Sequence, residues 1–173
     1  MNFDHVVIAA GPWSGKLLSP LGYNLPLASE RGYHLHFKLA DQTQLSRPVY
    51  DVDGAYLMSP LAQGLRVTTG VEFNGADAES NVVQLQSASE RVNEAIHIES
   101  QSDDEIWCGA RPSFPDAKPI IGESPHHKGL WFAFGHGHIG FNCGPITGKL
   151  LAQAMSGEAM DIDLQAFSAD RFK

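Results

Sequence analysis

Two glycine-containing stretches of the chain carry residues that could take part in chemistry. Residues 109–112 read Gly-Ala-Arg-Pro, and residues 135–140 read Gly-His-Gly-His-Ile-Gly. The glycines of the second stretch leave out side chains where backbone must approach a ligand closely, and a helical pattern opens soon after it, near Pro145. A helix N-terminus presents unpaired N–H groups and the positive end of the helix dipole. This turn therefore predicts a site for an anionic or electron-rich ligand edge.

Arg111 and the strand aromatics are the candidate substrate ligands. Arg111 follows the end of a predicted strand, where its guanidinium could bind a carboxylate through two hydrogen bonds or form a salt bridge between domains. Tyr33 and Tyr56 could line an apolar pocket, but aromatic residues on strands are also common in cores. The residues alone leave both alternatives open.

The histidines form two His-x-His pairs, His34 with His36 and His136 with His138. On strands, both members of such a pair would share a face, which permits a metal site. No local pattern places an acidic or thiol ligand beside either pair, so we favour polar or site-lining histidines and predict no metal. A histidine-metal protein with a cupin-like sheet is the third hypothesis for function.

The hydrophobic pattern predicts the elements that position these residues. A short buried strand covers 5–10, and a short helix covers 13–18. Alternating residues predict antiparallel strands between Gly32 and Val71, with turns at Asp53-Gly54 and Gln63-Gly64. Further elements are a helix over 81–98 capped by Ser80 or Asn81, strands over 105–109 and 130–134, and a helix over 146–155 ended by Gly157. The prediction is an α+β fold with an antiparallel or mixed sheet flanked by helices.

Composition excludes several classes of function. The 173 residues carry a formal net charge of -8, and their 12 Lys and Arg are scattered, which argues against nucleic-acid binding. No apolar run approaches the length of a transmembrane segment. Cys108 and Cys143 lack the spacing of a disulfide framework or a zinc site, which favours a reducing, cytoplasmic setting.

Five ordered blocks resemble the C-terminal half of FAD-dependent amino-acid oxidoreductases of the D-amino-acid dehydrogenase, glycine oxidase and sarcosine oxidase family. The resemblance spans nearly the whole chain, and its last two blocks are the most specific. The blocks are Val6 to Ser14, Arg31 to His34, Tyr56 to Pro60 with Gly64 to Val67, Gly109 to Pro112 with Pro115-Asp116 and Pro119 to Gly122, and Gly135 to Gly137 with Pro145 to Gly148.

The resemblance implies FAD as cofactor, an amine or amino acid as substrate, and hydride transfer from substrate to flavin. It implies that 1–27 hold the last strand and helix of a truncated FAD-binding domain, 28–112 the substrate-binding sheet with its covering helix, and 113–173 a return segment with a helix beside the flavin. Arg111 matches the arginine that binds the substrate carboxylate, and His138 falls where some members carry a second arginine, which implies weaker or different carboxylate recognition. The implied substrate ligands are Arg111, Tyr33, Tyr56 and His138, and the implied flavin neighbours are Ala10, Gly11, Gly135, His136, Gly137, His138, Ile139 and Gly140.

The family's opening βαβ unit, with its glycine fingerprint for the pyrophosphate and its acid for the ribose, has no counterpart here, since no Gly-x-Gly-x-x-Gly follows an opening strand. We therefore expect this chain alone to bind FAD poorly and to be inactive. It would be a fragment or one part of a split enzyme, with a separate N-terminal FAD-binding half or self-association completing the site. The second hypothesis is a non-catalytic remnant or binding module for a small carboxylate or a protein partner.

Overall fold

The computed structural model describes residues 2–62, 64–102 and 106–172. Strands and helices follow one another in the mixed order of an α+β fold, which confirms the predicted class. The chain divides into two compact units. Unit 1 contains Met1–Glu30, Asn74–Ala76 and Arg111–Lys173, and unit 2 contains Arg31–Phe73 and Asp77–Ala110.

The described residues form strands β1 to β9 and α-helices α1 to α3, numbered along the chain. The strands are β1 (Val6–Ile8), β2 (Ala28–Leu39), β3 (Val49–Asp51), β4 (Tyr56–Leu61), β5 (Gly64–Phe73), β6 (Ile98–Gln101), β7 (Trp107–Ser113), β8 (Ile120–Glu123) and β9 (Leu130–Phe134). The helices are α1 (Ser14–Leu18), α2 (Val83–Ala95) and α3 (Gly140–Ser156). Short 3-10 helices cover Gly11–Trp13, Ser19–Leu21, Gly137–Ile139, Gln165–Phe167 and Ala169–Phe172. None of these described helices is both long enough and apolar enough to cross a membrane.

Unit 1 contains a three-stranded sheet in the order β1-β9-β8, with β1 parallel and β8 antiparallel to β9. Aromatic residues such as Phe114, Phe132 and Phe134 fill its main core. The first strand was predicted to be buried, and this is wrong in the structure: Val6 is 48% exposed and Val7 is 39% exposed. Among the described strands β1 pairs only with β9, so its β-branched side chains are covered on one flank alone.

The sheet of unit 2 has the order β3-β4-β5-β2-β6, and β7 also pairs with β2. Alternation along β2 buries Tyr33, Leu35 and Phe37 in the core of this unit. Helix α2 covers this core with Leu85, Ala88 and Val92. The predicted Asp53-Gly54 hairpin is confirmed: β3 and β4 pair antiparallel, and the Gly54 N–H donates to Asp51 Oδ1 at 2.7 Å. Gln63, in the other predicted turn, lies outside the described residues.

Several predicted boundaries differ from the structure. Helix α2 stops at Ala95, and Ile98 begins strand β6, because this segment gains hydrogen bonds by pairing antiparallel with the end of β2. Strand β7 runs on to Ser113, and Glu105, where the predicted strand began, is outside the described residues. Strand β8 was not predicted.

Helix α3 begins at Gly140, six residues before the predicted start. Gly144 and Pro145 obscure the helical pattern locally, but a proline in the second turn removes only one backbone donor from the helix. The predicted end is confirmed, since Gly157 adopts a left-handed conformation with φ 69° and caps the helix.

Candidate functional site

The turn between β9 and α3 depends on two glycines in left-handed conformations. Gly135 has φ 88°, and a Cβ at this position would lie 2.2 Å from Cε2 of the Phe114 ring. Gly137 has φ 55°, and its Cβ would lie 3.0 Å from the Ser113 hydroxyl oxygen. The sequence signal of closely spaced glycines is therefore explained by close packing of the turn against the end of β7.

His136 connects this turn to helix α3. Its backbone forms an isolated β-bridge with Ser113, and its Nε2 lies 2.9 Å from Oγ1 of the buried Thr147. Burial lowers the pKa of His136 below its ordinary value, so the neutral ring is favoured near neutral pH. His136 thus positions the turn without adding a positive charge.

His138 contacts an acidic side chain that sequence reasoning missed. Its Nδ1 lies 3.0 Å from Oε2 of Glu30, and the side chains are 54% and 19% exposed respectively. Glu30 stands directly before the conspicuous Arg31-to-His34 block, and that adjacency was the available signal. The partner of His138 is thus an acid contributed by the first residues of β2.

A cavity of about 200 Å³ lies within unit 1 beside the glycine turn. Ser113 contributes a hydroxyl oxygen that is buried and has no hydrogen-bond partner in the described part of the chain. Ser113 was also not predicted, although it shares a face of β7 with Arg111 by strand alternation. The cavity is lined by Glu30, Ser113, Phe114, Ala117, Gly135, His136, Gly137, His138 and Ile139.

Arg111 lies on β7 with one guanidinium nitrogen buried. Its Nη1 atom is shielded from solvent and makes no hydrogen bond to any described residue. Arginine stays charged in proteins, and a buried donor without an acceptor is costly. The guanidinium is therefore available for an acceptor brought by a ligand, and carboxylate is the group that its geometry fits best.

Two further backbone features fit the edge of a flat, electron-rich ligand. Gly11 has φ 55°, and no described atom would lie within 4 Å of a Cβ added there. The carbonyl of Ala10 accepts a hydrogen bond from the Trp13 N–H at 3.1 Å, which holds the turn after β1. At Gly140, helix α3 begins without a side-chain cap from the preceding Ile139.

The two tyrosines predicted as substrate ligands lie in the core of unit 2. Tyr33 is 2% exposed and donates its hydroxyl to Glu72, while Tyr56 is 1% exposed and lies beside Asp51. Burial raises the pKa of each phenol to about 12. These positions favour the core interpretation over the pocket interpretation for both residues.

The histidine pairs do not assemble a metal site in the described residues. No group of three or more His, Cys, Asp or Glu side chains is gathered there. His34 stacks on Trp107 at 4.5 Å, and Nε2 of His36 accepts a hydrogen bond from Arg66. His136 and His138 do not lie on one strand, because His136 precedes the 3-10 helix Gly137–Ile139 and His138 lies within it.

Comparison with known proteins places this chain in a family. The family model for FAD dependent oxidoreductases matches residues 2–154. A D-amino-acid oxidase from Bradyrhizobium diazoefficiens is 33% identical over 173 residues, covering 98% of this chain and 41% of that protein. A glycine oxidase from Pseudomonas aeruginosa is 34% identical over 164 residues, covering 92% of this chain and 44% of that protein.

This chain is also similar to solved structures. An iminodiacetate oxidase from Chelativorans sp. BNC1 superposes with a TM-score of 0.75 at 26% identity, covering 97% of this chain and 46% of that one. The chain thus spans less than half the length of these relatives. Because the family model covers most of its residues, the chain belongs to the FAD dependent oxidoreductase family.

Proposed function

We propose that this chain forms the substrate-binding and flavin-capping portion of an FAD-dependent oxidoreductase that acts on an amine or amino acid. The observation that carries the proposal is the buried, unpartnered Nη1 of Arg111 in unit 1. The names of the relatives support the substrate class, since they act on D-amino acids, glycine and iminodiacetate.

Arg111 binds the substrate carboxylate in this proposal. A carboxylate would satisfy the buried guanidinium nitrogen and would be oriented by two parallel N–H donors. Orientation of the substrate is the main contribution a protein makes when the cofactor supplies the reactive atom. His138 is already paired with Glu30, so we do not assign it as a second carboxylate ligand.

The flavin-facing residues are Ala10, Gly11 and the stretch 135–140. The glycines leave backbone without side chains, and the N-terminus of α3 offers N–H groups to an electron-rich edge. FAD, when bound, supplies the hydride acceptor. We assign the nucleotide-binding half to residues outside this sequence, because the relatives are more than twice as long and the family's opening βαβ unit has no counterpart here. The Gly-x-Gly-x-x-Gly pattern at residues 135–140 lies late in the chain and not in a first βα turn.

The carboxylate role can be tested on the purified chain with acetate as the probe. Amide chemical shifts of unit 1, followed by NMR during the titration, report the affinity. Arg111→Met removes the charge at similar side-chain length and should weaken acetate binding about tenfold or more, since a charged hydrogen bond contributes about 1.5–3 kcal/mol. Arg47→Met, at an exposed arginine of unit 2, is the matched control and should bind as the wild type does. Equal acetate affinity in Arg111→Met and wild type would contradict the role.

A separate titration tests the flavin-facing role. FAD is added to the purified chain, and its visible absorbance and the amide shifts of residues 135–140 are followed. Shifts confined to this stretch and the 10–11 turn would support the assignment. Shifts elsewhere alone would contradict it.

A further inference from the structure

We infer that unit 2 binds an aryl carboxylate, a small acid with a flat ring, through Arg66 and Trp107 on the outer face of its sheet, the face opposite helix α2. Two histidines connect these side chains across the face. Trp107 stacks on His34, and Arg66 is hydrogen-bonded to His36. The inference goes beyond the proposed function, which assigns none of these side chains to the substrate or the flavin.

Alternation along the strands defines the outer face. Leu65 and Val67 of β5 are fully buried in the core with α2, so Arg66 between them lies on the opposite face of the sheet. His34 and His36 hold the half-buried positions in the alternating pattern of β2, and the hydrogen bond from Arg66 puts them on the same face. These side chains lie away from the core, where a ligand can reach them.

Arg66 supplies the positive charge for the carboxylate. Its Nε donates to Nε2 of His36 at 2.9 Å, and it makes no other hydrogen bond or ion pair to a described residue. His36 thereby fixes the direction of the guanidinium and leaves both Nη groups as donors. Ser59 lies opposite Arg66 in β4, and Thr68 follows two residues along β5, so these neighbours bring no negative charge. A carboxylate is the group that two parallel N–H donors of a guanidinium bind best.

Trp107 supplies an aromatic surface that is held in place although it is exposed. The residue is 53% exposed, and its ring stacks on His34 with the centroids 4.5 Å apart and an interplanar angle of 19°. A Cβ on Gly109 would lie 2.1 Å from Cη2 of the indole, so this glycine makes room for the ring. An exposed indole that is already ordered loses little conformational entropy when a flat ligand ring packs on it.

The spacing of the two groups limits the length of the ligand. Strand β2 pairs with β5 along one edge and with β7 along the other. Arg66 and Trp107 are therefore two strand spacings apart, about 9–10 Å. A hydrogen bond to Arg66 takes up about 3 Å of this distance. The remaining length, about 6–7 Å, matches a phenyl ring joined to the carboxylate by two carbons at about 1.5 Å for each bond.

The test titrates 3-phenylpropionate into the purified chain and follows the backbone amides of His36 and Arg66 by NMR. Two analogues separate the charge from the ring, since 3-phenylpropanamide lacks the charge and propionate lacks the ring. We expect the acid to bind at least about tenfold more tightly than the amide, because a charged hydrogen bond is lost in the amide. It should bind about two- to tenfold more tightly than propionate, because propionate cannot stack. This comparison uses the wild type alone and does not depend on the folding of any variant.

Variants assign each half of the ligand to its side chain. Arg66→Met should bind 3-phenylpropionate about as weakly as the wild type binds the amide. Trp107→Leu should bind it about as weakly as the wild type binds propionate. Arg47→Met, at an exposed arginine of unit 2, is the matched charge control and should keep the wild-type affinity. The amide spectrum of the wild type without ligand serves as the reference for folding of each variant.

Three results would overturn the inference: equal affinity of the wild type for the acid and its amide, unchanged affinity for the acid in Arg66→Met or in Trp107→Leu, or loss of the His36 and Arg66 shifts in Arg111→Met. The last result would assign the carboxylate to Arg111. The acetate titration of Arg111→Met tests the proposed function separately, because it is read at the amides of unit 1.

Discussion

Replacement of Gly135 by alanine tests whether this glycine is required by packing as well as by backbone conformation. A non-glycine residue at φ 88° costs about 1–2 kcal/mol in a left-handed conformation. The added Cβ would also lie 2.2 Å from Cε2 of Phe114, a ring that is 4% exposed and packed in the core of unit 1. Forcing an extra methyl group into a packed core lowers the free energy of unfolding by about 1–3 kcal/mol more. We expect Gly135→Ala to lower the free energy of unfolding by about 2–5 kcal/mol.

Gly22 provides the matched control, because it has nearly the same φ of 86° and no described atom would lie within 4 Å of its Cβ. Gly22→Ala should therefore lose only the conformational part, about 1–2 kcal/mol. Urea unfolding followed by tryptophan fluorescence measures both variants, with the buried Trp131 as a reporter in unit 1. Adding Phe114→Leu to each protein should shrink the difference between Gly135→Ala and its parent. The packing argument is refuted if Gly135→Ala and Gly22→Ala lower the free energy of unfolding equally and Phe114→Leu changes neither loss.

Two further variants probe buried charge. Arg31 is 2% exposed, and its Nη1 lies 3.4 Å from Glu72 Oε2. Arg31→Met removes the buried cation of this pair and should lower the free energy of unfolding by about 3–5 kcal/mol. Urea unfolding measures this loss, and full stability of the variant would contradict it. Burial lowers the pKa of His136, so as pH falls below about 6.5 the unfolded chain binds protons before the folded chain does, and the free energy of unfolding decreases. His136→Gln should flatten this decrease between pH 7 and pH 5 in unfolding curves, whereas parallel pH dependence in both proteins would exclude the histidine as its source.

Local patterns in the sequence were sufficient for several elements of the fold. The period of two after Gly32 predicted the strand β2, and Asp53-Gly54 predicted a hairpin, because both depend on backbone geometry over a few residues. The glycines at 135 and 137 likewise indicated a close backbone approach. The α+β class and the helix-ending Gly157 were predictable for the same reason.

Non-local pairing decided what local patterns could not. Ile98 continues a helical period in the sequence, yet it forms a strand because the end of β2 offers it hydrogen bonds. Tyr33 fits a pocket or a core equally well as a strand aromatic, and its burial beside Glu72 emerges only when β2 is packed against α2.

The candidate site also combines features visible in local sequence patterns with features that depend on non-local contacts. The sequence by itself identified Arg111 and the 135–140 turn as candidates for the site, because a charged residue at a strand end and clustered glycines are visible without a fold. Only the tertiary structure decided that Glu30 contacts His138 and that Ser113, which lines the same cavity, has a buried hydroxyl without a hydrogen-bond partner among the described residues. These contacts join segments far apart in the chain, and no spacing rule encodes which side chains meet once the sheet of unit 1 has formed.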